Sequence, residues 1–86
     1  MSTYQANITV TLKPEILDVQ GRTVMEAVHQ MERDEVQSVR CGKHFEVVIA
    51  AADEGAAGDI AAEIAHKLLA NPVIEQYQIE IAVKGS

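Results

Sequence analysis

From Tyr4 to Leu12 apolar and polar residues alternate strictly, with Tyr4, Ala6, Ile8, Val10 and Leu12 set against Gln5, Asn7, Thr9 and Thr11. Successive side chains of an extended chain point to opposite sides, so this pattern predicts a strand with one buried face. Pro14 ends it, because proline has no N–H to give to a sheet ladder. The period then changes. Val24, Ala27, Val28 and Met31 fall at i, i+3, i+4 and i+7, which is one face of a helix predicted from about Gln20 to Glu32 with Asp18 as its cap.

Val36, Val39 and Cys41 precede Gly42-Lys43, and Phe45, Val47 and Ile49 follow; two β-rich runs around a glycine predict a hairpin turning at Cys41 to His44. Asp53-Glu54-Gly55-Ala56-Ala57-Gly58 is composed as a mobile small-residue connection, with Asp53 or Gly58 near the next helix start. Ile60, Ala61, Ile64, Ala65, Leu68 and Leu69 form the stripe of a second helix, with Asp59, Glu63 and Lys67 outside. Asn71-Pro72 stops it, since the residue before proline is pushed out of the helical region. Tyr77, Ile79, Ile81 and Val83 then alternate with polar residues as a closing strand. The order βαββαβ predicts an α+β, ferredoxin-like (split βαβ) domain over 1–86, with a four-stranded antiparallel sheet and both helices on one face.

Composition narrows the partners. A chain of 86 residues buries about 60% of its unfolded surface, and Val48, Ala50 and Ala82 leave the open sheet face partly apolar; a homo-oligomer, dimer or tetramer, is expected. Seven basic residues against thirteen acidic ones give a net charge of −6. The cations stand singly, so neither nucleic acid nor an anionic membrane is an expected partner. No apolar run reaches the roughly 20 residues that span a bilayer, and the start lacks the pattern of a signal peptide; a soluble, cytoplasmic protein is expected. Cys41 is the single cysteine, which excludes an internal disulfide.

Candidate chemistry is sparse. His29, His44 and His66 share no face and no metal-ligand spacing. Cys41 lies beside Arg40, Lys43 and His44, yet no orienting base accompanies it, as a nucleophile requires. Asp34-Glu35 and Asp53-Glu54 read as solvated turns, with nothing to push one carboxyl pKa away from the other. Val19-Gln20-Gly21 matches the phosphate loop of acylphosphatases, but Arg22-Thr23-Val24-Met25 departs from that family at once, and its catalytic asparagine has no counterpart between Glu35 and Lys43. RNA binding needs aromatic residues on the open face, whereas Tyr4 and Tyr77 alternate with the core set.

Three segments carry a resemblance. Leu12-Lys13 with Leu17-Asp18 and Gln20-Gly21-Arg22, then Val36, Val39-Arg40 and Gly42-Lys43, then Leu68-Leu69-Ala70-Asn71-Pro72-Val73-Ile74-Glu75 occur in order over nearly the whole chain. In these the chain resembles the PurS family, small subunits of phosphoribosylformylglycinamidine (FGAM) synthase. Val19, where the family usually has proline, and Met31-Glu32-Arg33, in place of a leucine-glycine turn, are departures. The resemblance implies a non-catalytic subunit of an ATP- and glutamine-dependent C–N ligase of de novo purine synthesis. It implies a PurQ-like glutaminase subunit and a PurL-like large synthetase subunit as partners, with ATP and Mg on the large subunit and no cofactor on this chain. Pro14, Asp18, Gln20, Gly21, Arg22, Asn71, Pro72 and Glu75 become candidate partner-docking residues, since proline lowers the entropy that docking must remove. The alternative is an ACT-type dimeric module that holds a small ligand, although Leu12-Lys13-Pro14-Glu15 lacks the glycine turn expected there.

Overall fold

The alternating opening segment forms β1 (Ser2–Leu12), the central strand of a three-stranded antiparallel sheet, in a computed structural model that describes residues 1–85. It is followed by α1 (Val19–Gln30), β2 (Gly42–Ala51), α2 (Glu54–Ile64) and β3 (Glu75–Gly85), and the sheet order is β2-β1-β3.

Register explains the core. Ile8 stands opposite Phe45 on β2 and Ile79 on β3, and Ala6 opposite Val47 and Ile81. The even positions of β1 therefore share one face with the odd positions of its neighbours. That face is covered by α2, whose Ala57 and Ala61, with Ala65 just beyond, are wholly buried. Three methyl groups along one stripe let the helix backbone sit close to the sheet. Ile8 and Val10 are the largest fully buried side chains, each contributing about 1.5–3 kcal/mol by leaving water. Tyr4 and Tyr77 point into this layer, as their alternation predicts.

Past Ile64 the helix widens into a π turn, Ala65–Leu69, closed by the Ala70 N–H on the Ala65 carbonyl at 2.9 Å. Asn71-Pro72 ends it, as expected.

Three expectations are overturned. The sheet has three strands, not four, and the order is βαβαβ. Val36, Val39 and Cys41 form no strand, because their segment is spent on α1: the Val36 carbonyl meets His29 Nε2 at 2.9 Å, and the Cys41 N–H donates to Asp18 Oδ2 at 2.7 Å. The hairpin and the ferredoxin-like fold go with that strand. Nor do both helices cover one face. Within α1 only Gly21 is buried, and Val24 and Met31 of its apolar stripe are exposed. Lastly, residues 54–58 are not a mobile connection: α2 already starts at Glu54, where Asp53 Oδ1 accepts the Ala56 N–H at 2.8 Å.

Candidate partner-docking site

The two proline segments, remote in sequence, meet at one end of the sheet. Antiparallel pairing sets Leu12 opposite Glu75 and Thr11 opposite Gly42, so the loop leaving β1 and those entering β2 and β3 converge. Just beyond the ladder the Lys13 N–H donates to the Ile74 carbonyl at 2.9 Å and joins the two segments directly.

Each segment is also closed on itself. Asn71 Oδ1 accepts the Val73 N–H at 3.1 Å, and its carbonyl accepts the N–H groups of Ile74 and Glu75 at 3.1 and 2.7 Å. Glu75 Oε1 returns to the Asn71 N–H at 2.7 Å. Pro72 stands at the tip of this turn, where a fixed φ suits it. On the other side Asp18 caps α1 with Oδ1 on the Gly21 N–H at 2.8 Å, while Oδ2 takes the Cys41 N–H. One buried carboxylate thus ties the start of α1 to the start of β2. Its pKa is held below the ordinary carboxylate range, chiefly by the Cys41 N–H, then by the Gly21 N–H, with Arg40 adding to them and burial opposing.

Arg40 spans the Pro14 loop. Its Nη1 donates to the Ile16 carbonyl at 3.3 Å, its Nη2 to the carbonyls of Leu12 and Lys13 at 3.3 and 3.1 Å, and its Nε lies 4.0 Å from Asp18 Oδ2. Gly21 is required by close approach: a Cβ there would overlap the Val39 carbonyl oxygen and lie 2.8 Å from Asp18 Oδ2.

Between these parts lies a cleft of about 230 Å³ lined by Asp18, Gln20, Cys41, Gly42, Lys43 and Glu75, with the end of β1 as its floor. Pro14 lies on the outer side against Thr11, Leu12, Arg40 and Gln76. Of the eight residues singled out from the sequence, Asp18, Gln20 and Glu75 line the cleft, Gly21 packs between Asp18 and the Val39 carbonyl, Asn71 and Pro72 form the adjoining turn, and Pro14 sits behind it. Arg22 does not line the cleft; it pairs with Glu26 at 3.7 Å on the adjoining flank, beside Leu17, Val39 and Arg40. Arg40 and Lys43 were missed as parts of the site. No periodicity marks them; their one signal is that Val39-Arg40 and Gly42-Lys43 are among the segments that carry the resemblance.

The histidines stay apart. His29 supports the turn after α1, His44 lies on the open sheet face 3.8 Å from Glu46, and His66 is edge-on to Tyr77. Among the described residues no three His, Cys, Asp or Glu side chains gather as a metal ion requires, and no helix is long and apolar enough to cross a membrane.

Fold and junction together define a class: small βαβαβ chains with one sheet-and-helix layer and a hydrogen-bonded meeting of loops at the sheet end. The family model described as PurS, phosphoribosylformylglycinamidine (FGAM) synthase, matches residues 5–83. The Bacillus subtilis synthase subunit PurS is 42% identical over 78 residues, 91% of this chain and 92% of that one, and the structure of B. subtilis PurS has a TM-score of 0.81. The Methanocaldococcus jannaschii PurS structure, described as one of the subunits of formylglycinamide ribonucleotide amidotransferase in the purine biosynthetic pathway, is 31% identical with a TM-score of 0.83 and coverage of 93% and 96%. A chain in the structure of PurLQS from Thermotoga maritima shares the fold at TM-score 0.87 and 24% identity, covering 95% and 100%. The chain belongs to the PurS family and is a subunit of FGAM synthase.

Proposed function

We propose that this chain bridges the glutaminase and ATP-dependent synthetase subunits of FGAM synthase, itself holding no reacting group, with ATP and Mg bound on the large subunit. The observation that carries this reading is the junction. Two segments more than fifty residues apart in the chain are locked by Lys13 on Ile74 and by the bonds of Asp18, Arg40 and Asn71, while Leu17, Val19 and Val73 beside them stay exposed. Fixed backbone carrying exposed apolar side chains costs little ordering entropy on association. The T. maritima PurLQS assembly supports it, since that complex joins PurS to PurL and PurQ and holds a chain of this fold. Self-association belongs to the same reading, because α1 leaves an apolar stripe without cover. Reconstitution tests it: glutamine-dependent FGAM formation from the two larger subunits should require this chain, while synthesis from added ammonia should depend on it far less. Equal glutamine-dependent rates without the chain would refute the proposal. An Asn71→Gly/Pro72→Ala variant that folds should bind its partners more weakly.

A further inference from the structure

Charge at the junction is sorted by depth. The Asp18 and Glu75 side chains are 5% and 15% exposed, and both are turned inward onto backbone N–H groups. The cations they face are turned outward: Arg40 is 41% and Lys43 62% exposed, each 4.0 Å from its carboxylate. Arg22, 67% exposed, stands one turn into α1, and Lys13 begins the adjacent loop. Glu15 and Glu26 are the surface acids nearby. Elsewhere the balance reverses. Glu54, Asp59 and Glu63 line α2, which carries no Lys or Arg, and Glu32, Asp34 and Glu35 surround Arg33 after α1. In a chain of net charge −6 the junction shows positive charge outward, interleaved with exposed Leu17, Val19 and Val73.

We infer that this end docks a partner subunit of the synthase through a face that is acidic around an apolar centre; the inference rests on the bridging role and specifies its surface. Outward cations steer an acidic face into register and the apolar side chains supply the area that leaves water. A bare polyanion would gain nothing from three aliphatic side chains placed among the cations. A second copy could offer its acidic α2 face, but junction and α2 are different patches, so that contact would be head-to-tail, giving a ring or an open filament and never a two-fold dimer.

Titration calorimetry of the full chain against each purified partner subunit, at low and physiological salt, tests this. Arg22→Glu/Lys43→Glu should weaken binding to one subunit by about tenfold or more and flatten its salt dependence. Arg22→Gln/Lys43→Gln should fall between, and it decides the matter should the reversed pair unfold. Arg33→Glu/Lys84→Glu, an equal charge change away from the junction, should stay within about twofold. Unchanged affinity and salt response in both junction pairs overturns the inference, as does an equal loss in the Arg33/Lys84 pair. Altered self-association by light scattering with intact partner binding also overturns it, in favour of a second copy. A wild-type chain that binds neither subunit refutes the bridging role itself, so the two failures are distinguishable.

Discussion

Asp18 shows how one side chain sets local order, because each carboxylate oxygen holds a different stretch of backbone. Its folded pKa lies below the unfolded value, so its stabilisation is fully present above the unfolded pKa and is lost as pH falls through the folded one. Thermal midpoints should therefore drop on acidification below about pH 3.9. Asp18→Asn should be less stable at neutral pH, since the amide N–H₂ faces a donor, and should show a shallower acid limb. An unchanged limb would count against the assignment. Gly21 is the second test. In an exposed helix Gly→Ala gains up to about 1 kcal/mol, but here the new Cβ would run into the Val39 carbonyl. Gly21→Ala should destabilise by about 1–3 kcal/mol in urea unfolding. Asp18 as a cap was legible from its place before a helical period, but its bond to Cys41 was not: the partner lies 23 residues away.

At the scale of elements, the alanine stripe of α2 decides how close the helix lies to the sheet. Ala61→Leu should force them apart and cost about 1–3 kcal/mol, read by chemical denaturation; a stabilised variant would mean that space exists beneath the helix. β1, α2 and β3 were readable because each alternates or repeats over many residues. The segment 36–41 was misread because an apolar run signals burial without naming its neighbour. Its backbone groups are used against α1, by the Val36 carbonyl on His29 and the Cys41 N–H on Asp18, and the outer edge of β2, where such a strand would have paired, has no neighbour in the sheet among the described residues. In sequence the start of α2 stays open between Asp53 and Gly58 because small residues resemble a loop; Asp53 is the cap.

The whole molecule is elongated. Its Cα radius of gyration is 16.5 Å, against about 12 Å for a compact chain of this length. The excess goes with α1, which the sheet does not cover. A chain that completes its burial by association should melt at a temperature that rises with protein concentration. Scanning calorimetry over about a hundredfold concentration range, paired with light scattering, checks this; a monomer with an invariant midpoint would refute it.

By itself the sequence determined the secondary elements with strong periods, the inward face of the strands, the two proline stops and membership in the family. Those depend on neighbours within a few residues, or on motifs in order along the chain. Only the tertiary structure decided the strand number, the place of α1, and the bonding of Lys13 to Ile74 and of Asp18 to Cys41. Such pairings are settled by which backbone groups find partners across the fold, and a one-dimensional pattern of polarity carries no record of that choice.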